Sequence, residues 1–147
     1  MRIDQYELFS DNQAVTAAAA STNLLDLRGT ARRIGVGARP LAVVLHCTVT
    51  MDDSSDNSSV VVYLQSDTAA AFSSATNQQT LHTFATNTAA NTYVVVPIVS
   101  NTNERFVRLY YDVLGGNLGN GSFTAFMTAD PQLWAPYAAS YTGPTTA

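Results

Sequence analysis

Lysine is absent from this chain: all seven cations among its 147 residues are arginines. Charge of either sign is scarce, at 12% of residues, and the net charge is −4. An acidic balance argues against wrapping a nucleic-acid backbone with the whole surface. Protein interfaces are depleted in Lys and enriched in Arg and aromatic residues, because a planar guanidinium is easier to desolvate than an ammonium. The missing lysine therefore suits a surface that meets protein, although drift in codon usage would leave the same trace. Low charge does not mean disorder here, since 46% of residues are hydrophobic.

Reactive residues are just as sparse. The single Cys47 has no partner for an internal disulfide, so the fold does not depend on oxidising conditions. His46 and His82 are the only histidines, and Glu7 and Glu104 the only glutamates. Alternation along a strand turns His46 and Cys47 to opposite faces, which excludes a Cys–His pair between them. No GxSxG is present, too few ligands exist for a zinc site, and no glycine-rich phosphate loop precedes a helix. The acidic turn with Asp52, Asp53, Asp56 and Asn57 lacks the glycine and the distal bidentate glutamate of an EF-hand loop. It reads as a solvated turn. We expect no enzyme, no metal and no cofactor. Apolar runs fall well short of the ~20 residues that span a bilayer, and MRIDQYELFSD has no apolar signal core, so an intracellular origin without membrane partners is expected.

What the chain does contain is a ladder of short apolar runs separated by Ser, Thr, Asn, Asp and Gly. The runs cover 40–50, 58–67, 80–85, 92–99, 105–114 and 121–130. Their period is two. Leu41, Val43, Leu45, Cys47 and Val49 share one face; so do Val107, Leu109, Tyr111 and Val113, and again Phe123, Ala125 and Met127. Pro97 cannot donate to a ladder, which puts 92–99 at an edge or at a bulge. LLDLR at 24–28 is a further strand candidate, and 14–22 an extended segment along a sheet edge. The pattern predicts an all-β protein, an antiparallel β-sandwich of about eight strands, jelly-roll or immunoglobulin-like. It forms a single domain over 1–147, with a core at 24–130, an N-terminal arm at 1–23 and a C-terminal arm at 131–147.

Two clusters stand apart from the ladder. Residues 28–40 hold Arg28, Arg32, Arg33 and Arg39, four of the seven cations, in a glycine-punctuated stretch. It is either a solvated loop or an arm that docks on an acidic protein surface or, as the lesser alternative, on nucleic acid. The tail carries Trp134, Tyr137 and Tyr141 between prolines, either as a strap on its own sandwich or as anchors on a neighbour.

The stretch LFSDNQAVTAAAASTNLLDL at 8–27 resembles the opening of capsid cement proteins of tailed bacteriophages, of the type described in a short-tailed Bordetella phage. The matching residues are Leu8, Phe9, Ser10, Asp11, Gln13, Ala14, Val15 and Thr16, then Ser21, Thr22, Asn23, Asp26 and Leu27. VVVYLQSD and ERFVRLYYDV look like later strands of the same family. The resemblance implies a jelly-roll on the outside of a phage head, made in the host cytoplasm. It would bridge major capsid protein subunits and stabilise the head, with itself as a second partner, a dimer favoured, and no direct contact with nucleic acid. Interaction residues are then expected at Phe9, at the four loop arginines and at Trp134, Tyr137 and Tyr141. Deleting residues 1–12 or 134–147 is expected to leave the domain folded and to weaken shell binding. The residues also allow a carbohydrate-binding jelly-roll, with Tyr63, Tyr93, Tyr110 and Trp134 as sugar platforms, or a head-completion or tail protein.

Overall fold

The computed structural model describes residues 7–27, 41–100 and 104–129, and every regular element in them is a β-strand. The strands are β1 (Leu8–Ala14), β2 (Ala19–Ala20), β3 (Leu25–Asp26), β4 (Ala42–Asp52), β5 (Ser59–Asp67), β6 (Thr76–Phe84), β7 (Thr92–Pro97), β8 (Phe106–Leu114) and β9 (Asn120–Thr128). The apolar runs with period two become the long strands, because alternation lets a sheet bury one face and wet the other.

The pairing order is nested. β5 and β6 form a hairpin; β4 pairs with β7, β2 and β3 with β8, and β1 with β9, all antiparallel. Cross-pairing of β4 with β9 and of β5 with β8 rolls this ribbon into two sheets, ordered β1-β9-β4-β7 and β2-β8-β5-β6. β2 and β3 are two pieces of one interrupted strand along β8. Counted so, the molecule is an eight-stranded jelly-roll sandwich.

The inner faces meet in one core. Val43, Leu45 and Cys47 of β4 and Phe123 of β9 face Val62, Leu64, Leu109 and Tyr111 of the other sheet, all fully buried. Phe123 stacks on Tyr111 at 5.4 Å between centroids and lies 5.0 Å from Phe84. β7 is an outer strand of its sheet, with Pro97 as its last residue, as the missing N–H requires. One alternation breaks: Val49 is 37% exposed while Met51 is buried. The register against β9 shifts after Cys47, and a bulge of this kind turns the next side chains over.

The expected N-terminal arm is corrected by the structure. Residues 8–14 are β1, hydrogen-bonded along β9, and 19–20 are β2 on β8. Phe9 has no exposed surface, so it serves the core and not a partner. The register of β1 slips between Leu8 and Ser10, which lets both Phe9 and Ser10 face inward. The family-like residues of this stretch make its corner. The Ser10 hydroxyl bonds the buried Tyr111 hydroxyl at 2.9 Å and donates to Gln13 Oε1 at 2.8 Å. Gln13 Oε1 also accepts from the Thr22 N–H, while its Nε2 donates to the Ala20 carbonyl. Asn23 donates to the carbonyls of Leu8 and Phe9.

Candidate interaction surface

The outer face of the five-stranded sheet carries an arginine among aromatic rings. On β8 the residues opposite the core side are Phe106, Arg108, Tyr110 and Asp112, and register places Gln65 beside Arg108 and Tyr63 beside Tyr110. The Arg108 guanidinium lies over the Phe72 ring at 4.2 Å and within 5.8 Å of the Tyr110 ring. Its Nε donates to Gln65 Oε1 at 2.9 Å, and Gln65 Nε2 in turn donates to Asn77 Oδ1 at 2.8 Å. Partial burial draws the Arg108 pKa below the usual guanidinium value.

Phe72 reaches this position from the loop at 68–75, where it holds a φ of 50°. A side chain in this left-handed region costs roughly 1–2 kcal/mol. The loop is held in place by Asp67, whose carboxylate accepts the N–H groups of Ala69 at 3.0 Å and Ser74 at 2.8 Å. Those bonds to the charged form pull the Asp67 pKa down. Arg105, nearby on the chain, is engaged differently: its Nε and Nη2 grip both oxygens of Asp26 at 2.8 Å each.

The outer face of the four-stranded sheet is apolar in one full row. Register aligns Leu8, Phe126, Val44 and Val95 across β1, β9, β4 and β7. Val44 and Phe126 are buried although no described strand lies over them, and Val95 is exposed. One rung along, Tyr93 stacks flat on His46 at 3.9 Å. His46 thus points away from the core and Cys47 into it, as alternation requires, and burial lowers the pKa of the one and raises that of the other. The open margin beyond β7 is blunted by Gln79, which donates to the Pro97 carbonyl and accepts from the N–H groups of Val99 and Ser100.

The acidic turn is built for itself. Asp53 accepts the backbone N–H groups of Ser55, Asn57 and Ser58 and the Ser58 hydroxyl, all within 3.2 Å, which lowers its pKa. Among the described residues no group of three or more His, Cys, Asp or Glu side chains could hold a metal ion.

Of the interaction residues expected from the sequence, Arg28, Arg32, Arg33, Arg39, Trp134, Tyr137 and Tyr141 lie outside the described residues. Phe9 lies in the core. The tyrosines considered as sugar platforms are divided: Tyr63 and Tyr110 share one sheet and Tyr93 is on the other, with Trp134 outside the described residues. Arg108 went unsingled because the sequence shows it only as the polar side of a strand. The ring beneath it comes from a distant loop.

The strand order defines a jelly-roll sandwich. The chain belongs to the Bbp16 family, whose family model matches residues 9–127, well over half of its length. That name is of the Bordetella-phage type. No curated protein matches the chain.

Proposed function

We propose that this protein is a structural, non-catalytic component of a phage virion, a cement protein. It binds the outside of the head, bridges neighbouring major capsid protein subunits and associates with a second copy of itself. The observation that carries this reading is membership of the Bbp16 family across the whole sandwich, residues 9–127. A cement protein needs a stable scaffold with adhesive faces. A jelly-roll with an arginine–aromatic face on one sheet supplies that, and many weak copies on one shell hold together by avidity. The arginines of 28–40 and the aromatic residues of 131–147 are further contact candidates within this reading.

Copy number tests it. Purified virions should contain this protein in about the same number of copies as the major capsid protein, removable from the outer surface without opening the head. A handful of copies at one vertex would instead mark a head-completion or tail protein. Glycan binding by a protein that ignores the shell would mark the carbohydrate-binding alternative, which Tyr63 and Tyr110 side by side on one face favour.

A further inference from the structure

We propose that Arg108 is a preset docking point for a carboxylate side chain of a partner protein. Resting on the cement reading, that partner is an acidic residue of the shell.

Two arginines lie among the described residues, and they contrast. Arg105 is already paired fork to fork with a carboxylate, through Nε and Nη2 to both oxygens of Asp26. Arg108 receives only one acceptor, Gln65 Oε1, and that acceptor takes Nε. No described residue offers an acceptor to its Nη1 or Nη2, and the side chain is half-buried, not sealed in the core. The unfilled end of a guanidinium presents two parallel N–H groups, the geometry that matches a carboxylate fork to fork.

The rest of the site holds that fork still. Asn77 fixes the amide of Gln65, Gln65 fixes the rotation about Nε, and the Phe72 ring supports the guanidinium plane from below. Phe72 keeps a left-handed backbone to do so, in a loop that Asp67 anchors at Ala69 and Ser74. Strain of this kind persists where the surrounding structure over-determines it, and it concentrates at binding sites. Asp67, the neighbouring carboxylate, is committed to its own loop and does not fill the fork.

Charge selects the occupant. The chain carries eleven carboxylates against seven arginines, a net charge of −4, so a phosphate-covered surface meets net repulsion. A single carboxylate on an otherwise neutral protein surface meets Arg108 with the half-buried Tyr63 and Tyr110 beside it, and its local like charges are Asp67, tied to its own loop, and Asp112 further along the same face.

Tetraglutamate is the first probe, titrated into the full chain at low salt while the guanidinium 15N–H signals are followed. The Arg108 signal should shift saturably and return with added salt, and the Arg105 signal, already paired, should stay. Loss of any Arg108 response, or an equal response to a neutral oligosaccharide, overturns the proposal whatever the shell does. The second measurement is binding to purified heads stripped of this protein. Arg108→Lys, which keeps charge and loses the fork, should weaken binding about tenfold or more, and Arg108→Gln further. Unchanged Arg105 signals in both variants report an intact fold. Wild-type binding by Arg108→Gln overturns the proposal. If the unmodified protein ignores stripped heads while Arg108 still answers tetraglutamate, the cement reading fails and the docking point stands.

Discussion

Ser10 shows how one hydroxyl joins the two sheets. Tyr111 is buried at the core centre, and burial drives its pKa well above the ordinary phenol value. Its hydroxyl therefore stays neutral and needs a partner, which Ser10 supplies from β1, while Ser10 itself donates onward to Gln13. Ser10→Ala leaves the phenol unpaired in the core and should cost about 1–3 kcal/mol. Tyr111→Phe should cost less, since Ser10 keeps Gln13. The double variant should be less destabilised than the two single effects added, by ~1 kcal/mol. Denaturant midpoints for the four proteins test this, and strict additivity would contradict a direct bond between the two groups. Ser10 and Gln13, both among the residues that resemble the family, fasten β1 and the following corner, so these two build the fold.

At the scale of elements, β4, β5, β8 and β9 were legible, while β1 and the polar first half of β6, residues 76–79 ahead of the 80–85 run, were not. Runs such as 105–114 alternate cleanly, and the buried side of β8 is the one alternation predicts, Val107, Leu109 and Tyr111. β1 hides because Leu8 and Phe9 are adjacent and Asn12 takes a φ of 46°, so LFSDNQA shows no period of two. Val49 leaves the core face for a related reason: a bulge after Cys47 is a local register event that composition does not announce. The Arg108 face was illegible because it joins a strand, a loop and a neighbouring strand. Loops were read as polar turns, but two of them are anchored by one carboxylate each. Asp53 and Asp67 have folded pKa values below their unfolded ones, near 4. Such groups contribute stability that is fully present above the unfolded pKa and is lost as pH falls through the folded value. Thermal unfolding should therefore weaken progressively below about pH 4. Asp53→Asn and Asp67→Asn should each be less stable than the parent at pH 7 and converge with it at pH 2. A parallel offset at both pH values would show that the carboxylate charge is not what anchors the loop.

At the scale of the whole molecule, the nested pairing makes the first strand the closing one. β1 covers the edge of β9, so the sandwich is complete only when the two ends of the folded chain meet. Phe9 seals the core there with no exposed surface, and losing such a side chain alone costs about 3–5 kcal/mol. A domain of this kind has roughly 5–15 kcal/mol in total. Deleting residues 1–12 removes Phe9, Ser10 and most of the β1–β9 ladder together, a combined loss comparable with that margin. We expect the shortened protein to lose its cooperative thermal transition, against the sequence-based expectation of a dispensable arm. The other end differs in kind. The nine strands of the described residues lie within Leu8–Thr128, and the family match ends at residue 127. Deleting 134–147 should keep a single cooperative transition and, on the cement reading, weaken attachment to stripped heads. Calorimetry of the two truncations side by side decides the matter: a cooperative transition after removal of 1–12, or its loss after removal of 134–147, would reverse the roles assigned to the ends.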